Sequence, residues 1–197
     1  EPTGAIRLFV ERNVRGVFEQ GAYQSWGSEM AELRAWLLAK LLWDPRLDAG
    51  RLREEFLAGY YGPAAGAMDD VLETFEAALA RSADALGCYS PPDAKFLSLA
   101  TLTRSRRLLD RAEARVRRSA EYVRRVRRAA LPVDYVVLSR WDELREEARR
   151  TSGPWPWPWT RAALLERFLA TARREGVTMI SEGTTLEAWA GNGGRKK

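Results

Sequence analysis

Apolar residues recur every seven positions at Leu102, Leu109, Val116, Val123, Ala130 and Val137, accompanied by Ala112, Val126 and Val133. That spacing draws one continuous stripe along a helix, and the stripe leaves water only by packing on other helices. The second half of the chain therefore reads as a helical bundle. A single helix from Leu99 to Arg150 would be on the order of 75 Å long, more than a compact domain holds. That length calls for a turn, expected near Ser119 although the periodicity does not itself locate it, and for two antiparallel partners. Pro132 is expected to kink the later helix or to begin a new one.

Similar signals extend the helical reading in both directions. Ala5 to Asn13 carry helical apolar spacing at Ile6, Phe9 and Val10, and Val14 to Phe18 then read as a buried strand. Ser28 is a candidate cap for a helix over 29–42 with Met30, Leu33, Leu37 and Leu41 on one face. Asp48 caps a further helix to Tyr60. Gly62-Pro63 breaks it and opens another helix from Pro63 to about Leu86. Beyond Thr160, a helix over 161–174, a small strand at 177–180 and a short helix over 186–189 are expected, then a disordered tail at 191–197.

The strand at Val14 to Phe18 is the exception in this pattern. A parallel strand is normally buried on both faces between neighbours, so its sheet partners are expected to precede Glu1. The domain reading is a βα remnant over 1–45, a helical bundle over 46–190 and the tail over 191–197.

Composition narrows the chemistry. Histidine is absent and Cys88 is the single cysteine, which excludes His-based triads and zinc sites, Cys-Cys metal knuckles and an internal disulfide. No cofactor and no metal are implied. No apolar run approaches the roughly 20 residues needed to span a bilayer, so no membrane partner is expected.

Several residues invite a functional reading. Glu19, just past the strand, could bind sugar hydroxyls or protonate a glycosidic oxygen, or simply cap a loop. Tyr23 and Trp26 could form a stacking wall for a pyranose ring, or plug the core. Glu29 and Glu32 suit the positive end of a helix dipole. Arg104, Arg107, Arg111, Arg115 and Arg118 share one helix face. They read as a solvated face paired with Asp110, Glu113 and Glu121, with a polyanion site as the alternative; the absence of interleaved aromatics argues against nucleic acid. Pro154-Trp155-Pro156-Trp157-Pro158-Trp159 is an extended strap whose indoles are expected to pack on the helices.

Three stretches carry a resemblance. They are Gly16-Val17-Phe18-Glu19-Gln20-Gly21, the run from Leu33 to Pro45 ending in Leu42-Trp43-Asp44-Pro45, and the run from Glu55 to Ala65 containing Gly59-Tyr60-Tyr61-Gly62-Pro63. In these the chain resembles the C-terminal part of the bacterial family catalogued as domain of unknown function 4838. Leu131-Pro132-Val133-Asp134-Tyr135 fits more loosely. The resemblance implies a glycoside-hydrolase-like parent, similar to α-glucuronidases and hexosaminidases, with a (β/α)8 barrel followed by a helical domain. On that basis the fold class is mainly α, a helical bundle following the last βα unit of a truncated barrel. The implied function is to brace the barrel and to contribute Glu19 as a rim carboxylate, with Tyr23 and Trp26 beside it. The implied partners are the upstream barrel of the same polypeptide and a polysaccharide or uronic-acid-containing glycan. The acid/base pair would sit on earlier strands. A non-catalytic helical module binding a protein or polyanion through the arginine face is the alternative.

Overall fold

The computed structural model of the chain describes residues 2–21, 24–84, 86–87, 90–151 and 155–194. Tyr23 and Cys88 lie outside the described residues. The helices are α1 (Pro2–Glu11), α2 (Ala31–Trp43), α3 (Ala49–Tyr61), α4 (Ala65–Arg81), α5 (Leu99–Arg115), α6 (Ala120–Ser139), α7 (Trp141–Arg150), α8 (Arg161–Arg174) and α9 (Leu186–Gly191). A 3-10 turn, Gly62–Ala64, joins α3 to α4. The strands β1 (Met179–Ser181) and β2 (Thr184–Thr185) pair as a short antiparallel hairpin. The chain is mainly helical, as its periodicity predicts.

Polar side chains at the ends of the apolar stripes define many of the helix starts. Ser119 Oγ accepts from the Tyr122 amide at 3.4 Å, which sets the expected turn between α5 and α6. Asp48, Ser98, Thr160 and Thr185 cap α3, α5, α8 and α9 in the same way. Each such cap satisfies an amide that the helix itself leaves without a partner. The seven-residue stripe is the core: Leu102, Leu109, Val116, Ala130 and Val137 are all buried, and Val123 packs against them half-buried. Helix α5 lies against α4 and α6, and α6 lies against α8. Pro132 sits inside α6, which continues through it although the ring has no N–H to give the Arg128 carbonyl. The chain breaks instead at Arg140, where α7 begins.

Other expectations are corrected. Residues 14–21 form no strand, and Val14, Val17 and Phe18 are exposed, Phe18 at 86%. A strand is held by ladder hydrogen bonds to a neighbour, and β1 and β2 pair with each other, so among the described residues nothing completes a ladder at 14–18. Ser28 does not cap α2. The capping position belongs to Met30, which takes left-handed backbone angles (φ 46°, ψ 36°) and has no side-chain cap bond. Helix α4 stops at Arg81 rather than near Leu86, because Ser82 turns extended and its amide bonds the Ala78 and Leu79 carbonyls. Of the tail expected at 191–197, Gly191 ends α9 and the Gly193 and Gly194 amides bond back to Ala190 and Trp189. Residues 195–197 lie outside the described part.

Between the helices run charged contacts that the apolar pattern does not announce. Arg106 and Asp134 are an interior pair, their side chains 4% and 5% exposed, with Nη1 to Oδ1 at 3.3 Å. Arg106 Nη2 also bonds Asp110 Oδ1 at 2.8 Å. Burial pushes the Asp134 carboxyl above its ordinary value, against the pull of Arg106 and Arg167. Glu113 joins α5 to both α6 and α8, through Arg127 at 2.6 Å and Arg167 at 3.2 Å. Burial opposes its ionisation, but those guanidiniums outweigh burial and hold Glu113 below the usual carboxylate value. Trp159 of the strap lies beside the same cluster, its ring 5.0 Å from the Arg167 guanidinium and 6.0 Å from that of Arg106. Trp157 is 3% exposed and meets Trp155, which in turn stands edge-on to Trp141. The strap therefore packs on the bundle.

Candidate functional site

A cleft of about 200 Å³ opens where residues 24–29 lie across α6, α8 and β1. At roughly 30 Å³ per water molecule it has space for about six or seven waters, the scale of one ring-sized group. Its floor is apolar, built from Leu131, Pro132, Phe168 and Ile180, and its rim carries Ser25, Ser28, Glu29 and Ser181. Trp26 and Tyr135 complete the wall. An apolar floor with a few converging polar groups is the usual composition of a small-molecule site.

Residues 24–29 are held in place by backbone geometry. Gly27 has φ +91°, and a Cβ there would stand 2.9 Å from Val177 Cγ2. Only glycine lets the loop approach Val177 this closely. Ser25 Oγ accepts from the Thr178 amide at 2.7 Å, and Gln24 Nε2 donates to Glu182 Oε1 at 3.4 Å. The loop then enters α2 through Met30, whose side chain is buried and whose Sδ accepts from the Tyr61 hydroxyl at 3.6 Å. Burial pushes the Tyr61 phenol well above its ordinary value, so it stays a donor.

The loop is thus pinned at both ends, and a backbone change at Gly27 is expected to release it. Gly27→Ala should speed hydrogen exchange of the Thr178 amide, which bonds the loop, while the amides of α5 keep their protection. Unchanged exchange at Thr178 would show that the close approach does not hold the loop.

Trp26 is 71% exposed and rests against the turn after α8, where a Cβ at Gly176 would meet its Cδ1 at 3.6 Å. A large indole left this open, beside a cleft, offers a flat apolar face together with an N–H donor. A second aromatic layer supports the floor: Trp189 packs on Tyr135 and Phe168, with ring centres 5.5 and 5.1 Å away. Glu29 is the rim carboxylate, and it is ion-paired with Arg34. Its oxygens are acceptors for hydroxyl donors, an arrangement suited to holding a polyol. Among the described residues no group of His, Cys, Asp and Glu side chains could hold a metal ion, and no helix is long and apolar enough to cross a membrane.

Of the residues singled out from sequence, Trp26 and Glu29 line the cleft. Glu19 sits in the exposed segment 14–21, apart from the cleft lining. Tyr23 lies outside the described residues. Glu32 reaches α6 instead, pairing with Arg128 at 2.7 Å. Tyr135, Phe168, Ile180 and Ser181 escaped the sequence reading, since they join the site from far along the chain. The available signal was Gly27 itself, a glycine directly after an aromatic and just before a helix.

Residues 3–71 match the family described as Domain of unknown function (DUF4838). That stretch runs from α1 through the 14–21 segment and the cleft loop into α4, about a third of the 197 residues. No curated protein and no solved structure matches the chain.

Proposed function

We propose that this chain is the helical portion of a glycan-processing, glycoside-hydrolase-like protein. In this reading it braces a barrel of the same polypeptide and holds one sugar ring of a polysaccharide or uronic-acid-containing glycan in the Trp26 cleft. The observation that carries the reading is the open indole of Trp26 over a cleft whose floor is apolar and whose rim is hydroxyls and a carboxylate. A pyranose presents an apolar C–H face to an indole and hydroxyl edges to Ser25, Ser28 and Glu29, so both surfaces of the ring find complements.

The bracing role draws on a different feature. Leu8 and Val10 of α1 and Val14, Val17 and Phe18 of the segment after it are each exposed. Apolar side chains left open along one stretch of chain suit burial against a further structural layer, and a barrel sheet would supply the ladder that 14–18 lacks. Glu19 would then stand at the rim of that barrel, close to its substrate. The work of this chain is binding and positioning, with bond cleavage left to carboxylates on the barrel.

Calorimetric titration of the chain with neutral and uronate-bearing oligosaccharides tests the sugar-binding claim. Trp26→Ala is expected to weaken binding at least ten-fold, about 1.4 kcal/mol, without lowering the melting temperature, because the indole is exposed. Equal affinity of the two proteins for every saccharide would remove Trp26 from the site and the reading with it.

A further inference from the structure

A second concavity lies on another part of the bundle, between α4, α5 and α7, with a volume of about 790 Å³. Arg104, Arg107 and Arg111 of α5 line it, facing Asp70 of α4 and Glu147 of α7. Positions i, i+3 and i+7 fall on one helix face, so three guanidiniums are spread over roughly 10 Å along the groove.

These arginines differ from the others on α5 and α6. Asp110, Glu113 and Glu121, expected from sequence to neutralise the stripe, pair instead with Arg106, with Arg127 and Arg167, and with Arg125. Among the described residues Arg107 and Arg111 make no hydrogen bond or ion pair, although two carboxylates line the same groove. Arg104 is anchored: its Nε donates to Thr74 Oγ1 at 3.1 Å, and Thr74 in turn bonds the Asp70 carbonyl at 2.7 Å. That leaves its terminal amino groups as donors. A guanidinium presents a planar fork matched to sulfate or carboxylate oxygens.

We propose that this groove binds an anionic polysaccharide chain. Arg104, Arg107 and Arg111 hold successive sulfate or carboxylate groups, and Asp70 and Glu147 accept hydroxyls from the sugars between them. The stripe continues past the groove to Arg115, roughly 16 Å from Arg104 along the helix, which suits a polymer more than a compact ligand. The two carboxylates bear on which polymer. Their oxygens accept from ring hydroxyls, which a DNA backbone lacks, and among the described residues no aromatic side chain lines the groove for bases to stack on. Hydroxyl-rich chains with spaced charges satisfy both the cations and the acids. This site is separate from the Trp26 cleft and stands or falls independently of it.

The test is calorimetric titration of the full chain carrying Trp26→Ala, so that the cleft does not take up the uronates, with a size-defined heparin oligosaccharide at low and raised salt. The double variant Arg107→Gln/Arg111→Gln is expected to bind at least ten-fold more weakly and with a shallower salt dependence. Arg46→Gln/Arg51→Gln, which changes two exposed arginines outside both the groove and the cleft, should bind like the parent. Asp70→Asn should weaken the saccharide while leaving inorganic polyphosphate, which has no sugar hydroxyls, unaffected or tighter. Equal binding by the groove variant and the parent would overturn the site. Binding of single-stranded DNA at the same groove as tightly as heparin would overturn its assignment to a polysaccharide.

Discussion

Asp134→Ala is expected to cost about 3–5 kcal/mol of stability, because it leaves the Arg106 guanidinium inside the bundle without its interior counter-ion. Domains of this kind have only about 5–15 kcal/mol in hand. Arg106 keeps Asp110, but Asp110 is half exposed and its pairing is screened by water, so it offsets little of the loss. Asp110→Ala therefore serves as the comparison, with an expected cost of about 0–1 kcal/mol. Urea unfolding at neutral pH measures both. Similar losses for the two variants would mean that Arg106 is satisfied from the surface and that the interior pair is dispensable. Replacing both members of the pair with apolar residues should recover much of the loss, since that removes the stranded charge as well as its partner.

Gly62→Ala has the second large expected effect, through the backbone at the end of α3. Gly62 sits at φ 52° and ψ −124°, a region that residues with a Cβ rarely enter, which costs about 1–3 kcal/mol. The added methyl would also stand 2.8 Å from Tyr122 Cζ and 2.9 Å from Cε2, so the ring at the start of α6 must move. Overpacking of this kind costs about 1–3 kcal/mol more. Displacing Tyr122 disturbs the Arg125 guanidinium, which lies 4.2 Å from the Tyr60 ring and donates to the Tyr60 carbonyl at 2.7 Å. The variant should melt well below the parent while Gly59→Ala, at an open helical position, should not. A melting temperature equal to the parent's would contradict the geometry described for this corner.

These two sites differ in how far the sequence announces them. Gly62-Pro63 is legible as a helix break because a glycine that ends one helix and a proline that starts the next act locally. The Ser119 turn is legible for the same reason, a capping hydroxyl placed where one helix would grow too long. Asp134 is not legible. Its partner Arg106 is 28 residues away, and only the packing of α5 on α6 brings them together. The apolar run at 14–18 has the composition of a strand without forming one, because a strand depends on a neighbour as well as on its own side chains. The Trp26 cleft was half legible: the aromatic stands out, but the surface it meets comes from 153 residues further along, as the Ser25–Thr178 bond records. The arginine stripe was legible as a face, whereas its pairing was not, because nearby acids chose arginines on adjoining helix faces.

The central claim, that the loop at 24–29 and the bundle together hold a sugar ring against Trp26, can be tested at a single proton. In a nitrogen–proton correlation spectrum of the chain, adding an oligosaccharide should move the indole N–H resonance of Trp26, assigned by its loss in Trp26→Phe. The resonances of Trp155 and Trp157, in the strap away from the cleft, should stay in place. A Trp26 resonance unmoved at saturating saccharide, or shifts confined to the strap, would contradict the account.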